Sequence, residues 1–123
     1  SGLPYDWLRD DQRVECKHGK MFWNKQAYAW EVNFSGVKIA HPDVRSDSSF
    51  DDLLLAIFSP RGIHVIRHHG KYAIHRVGVR GHLYGLRICV QSSRGMLDVN
   101  EALTFIINKL ESNGCKHIAS VLW

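Results

Sequence analysis

The run Leu53-Leu54-Leu55-Ala56-Ile57-Phe58 limits the fold more than any other stretch of this chain. Its residues are apolar without alternation, so a strand built from them presents apolar side chains on both faces. Such a strand belongs in the middle of a sheet that is covered on both sides. Ser59-Pro60-Arg61-Gly62 follows it, with proline at the second position of a four-residue turn. Residues 63–67 should then return as the paired neighbour.

The remaining patterns fill in around this strand. Tyr28, Trp30, Val32 and Phe34 alternate with Ala29, Glu31 and Asn33, the period of a half-buried strand, with Trp30 and Phe34 expected on the inward face. Residues 3–8 and 12–22 read as strands flanking Asp10-Asp11, a pair suited to a hairpin turn. Residues 41–49 are polar, contain Pro42 and read as a loop. Residues 72–77 and 86–90 are further strand candidates, and Gly78, Gly81 and Gly85 blur their register.

One helix stands out, because Val99, Ala102, Leu103, Ile106, Ile107 and Leu110 share a helical face. Asp98 can cap its start with Glu101 three positions on, and Gly114 can close it. Residues 117–122 read as a last strand. The order, strands first, then a helix, then a strand, predicts an α/β or α+β domain with a mixed sheet flanked by helix. A chain of 123 residues suits one domain spanning 1–123.

The formal net charge is +4 with the eight histidines neutral, which suits a polyanionic partner. No apolar run reaches the roughly 18–20 residues needed to cross a bilayer, so no membrane association is expected. Cys16, Cys89 and Cys115 are far apart and include no C-x-x-C pair, which excludes a four-cysteine zinc site. Cys16 and Cys89 lie among strand residues and read as buried free thiols. An intracellular, reducing compartment fits that usage.

Chemistry concentrates near the start of the chain. Folding the hairpin about Asp10-Asp11 sets Arg9 opposite Gln12, Leu8 opposite Arg13, Trp7 opposite Val14 and Asp6 opposite Glu15. Strand alternation turns Val14 and Cys16 toward the core and gives Glu15 and Lys17 the other face. Two carboxylates and an ammonium then converge. Like charges opposed across a ladder are destabilising, and a divalent cation that takes an oxygen from each relieves the conflict. Mg2+ prefers such oxygen ligands, with Mn2+ as a substitute. The Cys16 backbone carbonyl lies between the two functional side chains and is a further candidate ligand. Lys17 could orient the attacking water or stabilise charge developing on a phosphate.

Tyr5-Asp6 followed by a short hairpin and then Arg13-Val14-Glu15-Cys16-Lys17 resembles the D…ExK signature of the PD-(D/E)XK nuclease superfamily, which includes restriction enzymes and Holliday-junction resolvases. Asp6, Glu15 and Lys17 match its aspartate, acidic residue and lysine. The resemblance implies a restriction-endonuclease-like αβββαβ core and Mg2+-dependent phosphodiester hydrolysis. Members usually carry a helix before the aspartate strand; only five residues precede Asp6 here, so that N-terminal helix is expected to be missing or to lie outside this chain.

The expectation is a DNA endonuclease with Asp6, Glu15 and Lys17 catalytic, and with DNA favoured over RNA as partner; a homodimer is left open. Arg13, Lys20, Lys25 and Arg61 are candidate phosphate contacts, each weighed against an ordinary surface charge. Aromatic residues from Trp7 to Phe34, interleaved with lysines, could stack bases, although core packing suits Trp30 and Phe34 better. His64, His68, His69, His75 and His82 read as surface or structural histidines, since no acid stands beside them in a metalloprotease pattern. The rival function is a nuclease-fold module without activity that binds nucleic acid or serves in a larger assembly. A small RNA-binding domain with a chance ExK is the third reading.

Overall fold

The computed structural model describes residues 7–9, 12–37, 52–69, 79–82 and 85–123. Its elements are β1 (Trp7–Arg9), β2 (Gln12–Lys20), β3 (Phe22–Asn24), β4 (Ala29–Val37), β5 (Asp52–Ser59), β6 (Gly62–His69), β7 (Val79–His82), β8 (Gly85–Gln91), α1 (Val99–Glu111) and β9 (Cys115–Leu122). The expected turn at Asp10-Asp11, the loop at 41–49 and the strand at 72–77 lie outside the described residues.

The fold is α+β. A mixed sheet has its four long strands in the order β2-β5-β6-β9, with short β1 on the outer side of β2. Strands β2 and β5 run parallel and their neighbours antiparallel. A second, antiparallel sheet runs β3-β4-β8, with short β7 beyond β8. No helix of the described residues is long and apolar enough to cross a membrane.

The 53–58 run forms central strand β5 as its composition predicts. Only one of its faces is sealed, however: Leu53, Leu55 and Ile57 are fully buried, whereas Leu54, Ala56 and Phe58 are half-buried. The sealed face meets Val32, Phe34, Ile88 and Val90 of the second sheet and Ala102, Ile106 and Leu110 of α1 in one core. Burying each of the larger side chains there contributes about 1.5–3 kcal/mol. Phe34 and Trp30 both face inward as expected: Phe34 is fully buried, and half-buried Trp30 packs against the core, its indole donating to the Leu97 carbonyl at 2.9 Å.

Helix α1 begins where Asp98 accepts hydrogen bonds from the Asn100 and Glu101 amides, both at 2.9 Å, which satisfies two otherwise unpaired donors. It ends at Ser112, and Gly114, at φ 91°, turns the chain into β9.

The expected strand over 12–22 is in fact two. β2 stays with β5 through the pair Lys20↔Phe58, and the Met21 amide bonds the Phe58 carbonyl at 2.8 Å. The chain then passes into the second sheet as β3. The β3–β4 hairpin turns without glycine or proline: the Asn24 side chain accepts from the Gln26 and Ala27 amides, and Tyr28 takes a φ of 53°.

Candidate functional site

Strand β2 carries the candidate site. The hairpin register is the one expected, with Trp7↔Val14, Leu8↔Arg13 and Arg9↔Gln12. Asp6 lies outside the described residues. Glu15 and Lys17, two residues apart on one strand, share a face, and Lys17 Nζ stands 3.2 Å from Glu15 Oε1. Cys16 lies between them in register with Leu54 and is half-buried.

The direction of that face corrects the expectation. In the parallel β2–β5 ladder Glu15 is paired with Leu53 and Lys17 with Leu55, both on the sealed face. Glu15 and Lys17 therefore lie on the core side of the sheet, at its β2 margin. Val14 and Cys16 share the opposite face with Asp52 and Leu54. The Glu15 side chain is only 3% exposed, and Lys17 keeps 30% of its surface open to solvent. The result is a sheltered carboxylate with an ammonium reaching out from it.

The row through Glu15 continues across β5 and β6 as Glu15↔Leu53↔His68, so buried His68 shares the same face two strands away. Asp52 is also buried, but it belongs to the other face, where it accepts from Arg67 Nε at 2.8 Å. Sequence reasoning missed this pair, although Asp52 at the mouth of an apolar run was its signal. Among the described residues no three His, Cys, Asp or Glu side chains gather in a way that could hold a metal ion. The metal reading therefore needs a ligand beyond Glu15 from outside that set.

The candidate phosphate contacts are dispersed. Arg13 pairs with Leu8 two residues before Glu15. Exposed Lys20 pairs with Phe58 at the far end of β5, five residues and about 16 Å from Glu15 along the strand. Arg61 is exposed in the β5–β6 turn beside that same end, and Lys25 is exposed in the β3–β4 turn. Of these four, only Arg13 is close to Glu15 along the chain.

A further buried carboxylate is fully committed. Glu31 accepts from Asn24 and Gln91 at Oε1, at 3.0 and 2.5 Å, and from Asn33 at Oε2, at 2.7 Å. Burial alone would raise its pKa, but the bonds from Gln91, Asn33, Asn24 and Cys89 together hold it below the usual carboxylate value. It ties β3, β4 and β8 together.

The thiols divide. Cys16 and Cys89, expected buried, are half-buried, while Cys115 is buried. Burial, with Glu111 nearby, pushes the Cys115 thiol up to about 12.

Compared with protein-family models, with curated proteins and with solved structures, the chain matches none of them.

Proposed function

We propose that this domain is a Mg2+-dependent nuclease of PD-(D/E)XK type, acting on DNA, with Glu15 as a metal ligand and Lys17 as the group that works on the attacking water or the phosphate. The observation that carries the reading is the Glu15–Lys17 pair: a carboxylate and an ammonium in direct contact on the sheet face that also carries Leu53, Leu55 and Ile57.

Burying an ion pair is a poor way to gain stability, because the desolvation cost rivals the attraction and an apolar pair of similar volume serves as well. Departures of this kind from a consistent core concentrate where a protein does chemistry. The β1–β2 register supports the same reading, since it is the register on which the expectation for Asp6 rests. The mixed sheet with parallel β2 and β5, covered on its sealed face by α1 and the second sheet, shares a helix-flanked mixed sheet with a restriction-endonuclease-like core, although the order of elements departs from αβββαβ.

In this reading Asp6, Glu15 and the Cys16 carbonyl hold the ion, which polarises the scissile phosphodiester and lowers the pKa of its bound water. Lys17, partly open to solvent, is placed to meet the incoming phosphate. The test is nicking of supercoiled plasmid DNA in Mg2+ or Mn2+ by the wild type and by Glu15→Gln and Lys17→Met. Cleavage that needs the ion and falls at least about 100-fold in both variants supports the assignment. Undiminished cleavage in the variants removes it. DNA binding without cleavage in either ion favours an inactive nuclease-fold module.

A further inference from the structure

A β-bulge in β9 builds a polar cluster that the nuclease reading does not use. The β6–β9 ladder pairs His64 with Ser120, Val65 with Ala119 and Ile66 with His117, leaving Ile118 as the extra residue. In a regular strand residues 117 and 120 would point to opposite faces. The bulge returns His117 and Ser120 to one face, beside His64.

Three side chains meet there. His64 Nδ1 lies 2.9 Å from Ser120 Oγ, and His117 Nε2 lies 2.8 Å from the same oxygen. The two rings stand 5.7 Å apart, centre to centre. His64 is 8% exposed, His117 is partly open and Ser120 is exposed, so the meeting point is reachable from solvent.

The partners favour one set of proton positions. Ser59 Oγ donates to the Gly62 carbonyl at 3.0 Å, so its proton is used and its lone pair faces His64 Nε2 at 3.5 Å. This arrangement suits the tautomer with the ring proton on Nε2, in which Nδ1 offers a bare lone pair to the Ser120 hydroxyl. His117 Nε2 also contacts the Ala119 carbonyl at 3.1 Å, which can only accept, so that nitrogen holds its proton in the resting arrangement. A tautomer shift to Nδ1 frees it at no cost in net charge.

We propose that His64 Nδ1 and His117 Nε2 form a two-imidazole site for a borderline divalent metal ion of the Zn2+ class, with Ser120 Oγ or water completing the coordination. Neutral imidazole is the favoured ligand of such ions. Metal-bound histidines characteristically donate their second ring N–H to a fixed oxygen, and Ser59, anchored on Gly62, supplies that oxygen to His64. The ring nitrogens now point at one atom from 2.8 and 2.9 Å. Small ring rotations bring them to the roughly 2.0–2.1 Å of a zinc–imidazole bond. With two protein nitrogens, the ion keeps open positions for an anionic or neutral ligand.

This site is distinct from the Glu15–Lys17 pair. His64 lies four rows along the sheet and two strands across from Glu15, a separation of roughly 16 Å.

The test is a Zn2+ titration near pH 7.5 by calorimetry, together with the ring 15N resonances of the wild-type protein. The proposal requires saturable binding of one ion that moves the His64 Nδ1 and His117 Nε2 resonances. It also requires affinity to fall by roughly tenfold or more in both His64→Gln and His117→Gln, at least the loss seen on removing an outer-shell partner. The wild-type resonances decide the question even if a variant fails to fold. Zn2+ that leaves those two nitrogens unmoved, or that binds both folded variants as it binds wild type, overturns the proposal.

Discussion

Gly19 of β2 lies directly against Val32 and Asn33 of β4, at the point where the two sheets touch. A Cβ at position 19 would come within 2.9 Å of Val32 Cγ2 and would overlap the Asn33 backbone carbonyl. That carbonyl cannot swing aside without disturbing β4, so the contact fixes how closely the strand bearing Glu15 and Lys17 approaches the second sheet.

Gly19→Ala should therefore destabilise the fold by roughly 1–3 kcal/mol, the usual cost of overpacking, rather than add the small gain of replacing a flexible glycine. Urea unfolding followed by circular dichroism measures this. A variant as stable as wild type would show that β2 and β4 are not held so close.

Glu31→Gln should cost about 1–3 kcal/mol, because the substituted amide turns donors toward the amides of Asn24, Asn33 or Gln91. The sign of its pH dependence is also fixed. A carboxyl whose folded pKa lies below its ordinary 4.5 adds stability above that value, and the stability is lost as pH falls through the folded pKa. Thermal unfolding from pH 6 downward should thus show a shallower acid loss in Glu31→Gln than in wild type.

His64 titrates in the opposite sense from a histidine that gains an acidic partner. Burial, and then the neighbouring His117, hold its pKa below the ordinary 6.5. As pH falls below 6.5 the unfolded chain takes up a proton that the folded chain refuses. The contribution of His64 is therefore complete above 6.5 and is lost through the window beneath it. The difference in melting temperature between wild type and His64→Gln should narrow over that window on acidification. A difference constant with pH would contradict the assignment.

Thiol alkylation provides an independent check on the core. Cys115, with its thiol raised to about 12, should resist iodoacetamide at pH 8 in the folded protein, while half-buried Cys16 and Cys89 react ahead of it. Peptide mass mapping reads the order, and Cys115 reacting first would contradict its burial.

The sequence was most legible where local chemistry and tertiary context agree. The β1–β2 register, the Ser59–Gly62 turn and the Asp98-capped helix follow from turn residues and apolar spacing alone. The facing of Glu15 and Lys17 did not. Alternation placed them on one side together, but which side is sealed depends on the parallel pairing with Leu53 and Leu55, a contact some forty residues distant in the chain. The β3–β4 hairpin escaped notice because Asn24 and Tyr28 make its turn without glycine or proline. Nor could the meeting of His64, His117 and Ser120 be foreseen, since it depends on a bulge at Ile118 that no residue type announces.

The measurement that bears most directly on the nuclease reading is a crystal of the protein soaked in Mn2+ and recorded at a wavelength where manganese scatters anomalously. A metal ion held by Glu15 should give a peak bonded to a Glu15 carboxylate oxygen at about 2.1–2.2 Å, with Lys17 Nζ turned from that oxygen toward solvent. A peak elsewhere only, or none while Lys17 stays bonded to Glu15, would contradict that reading and leave the pair as a structural ion pair.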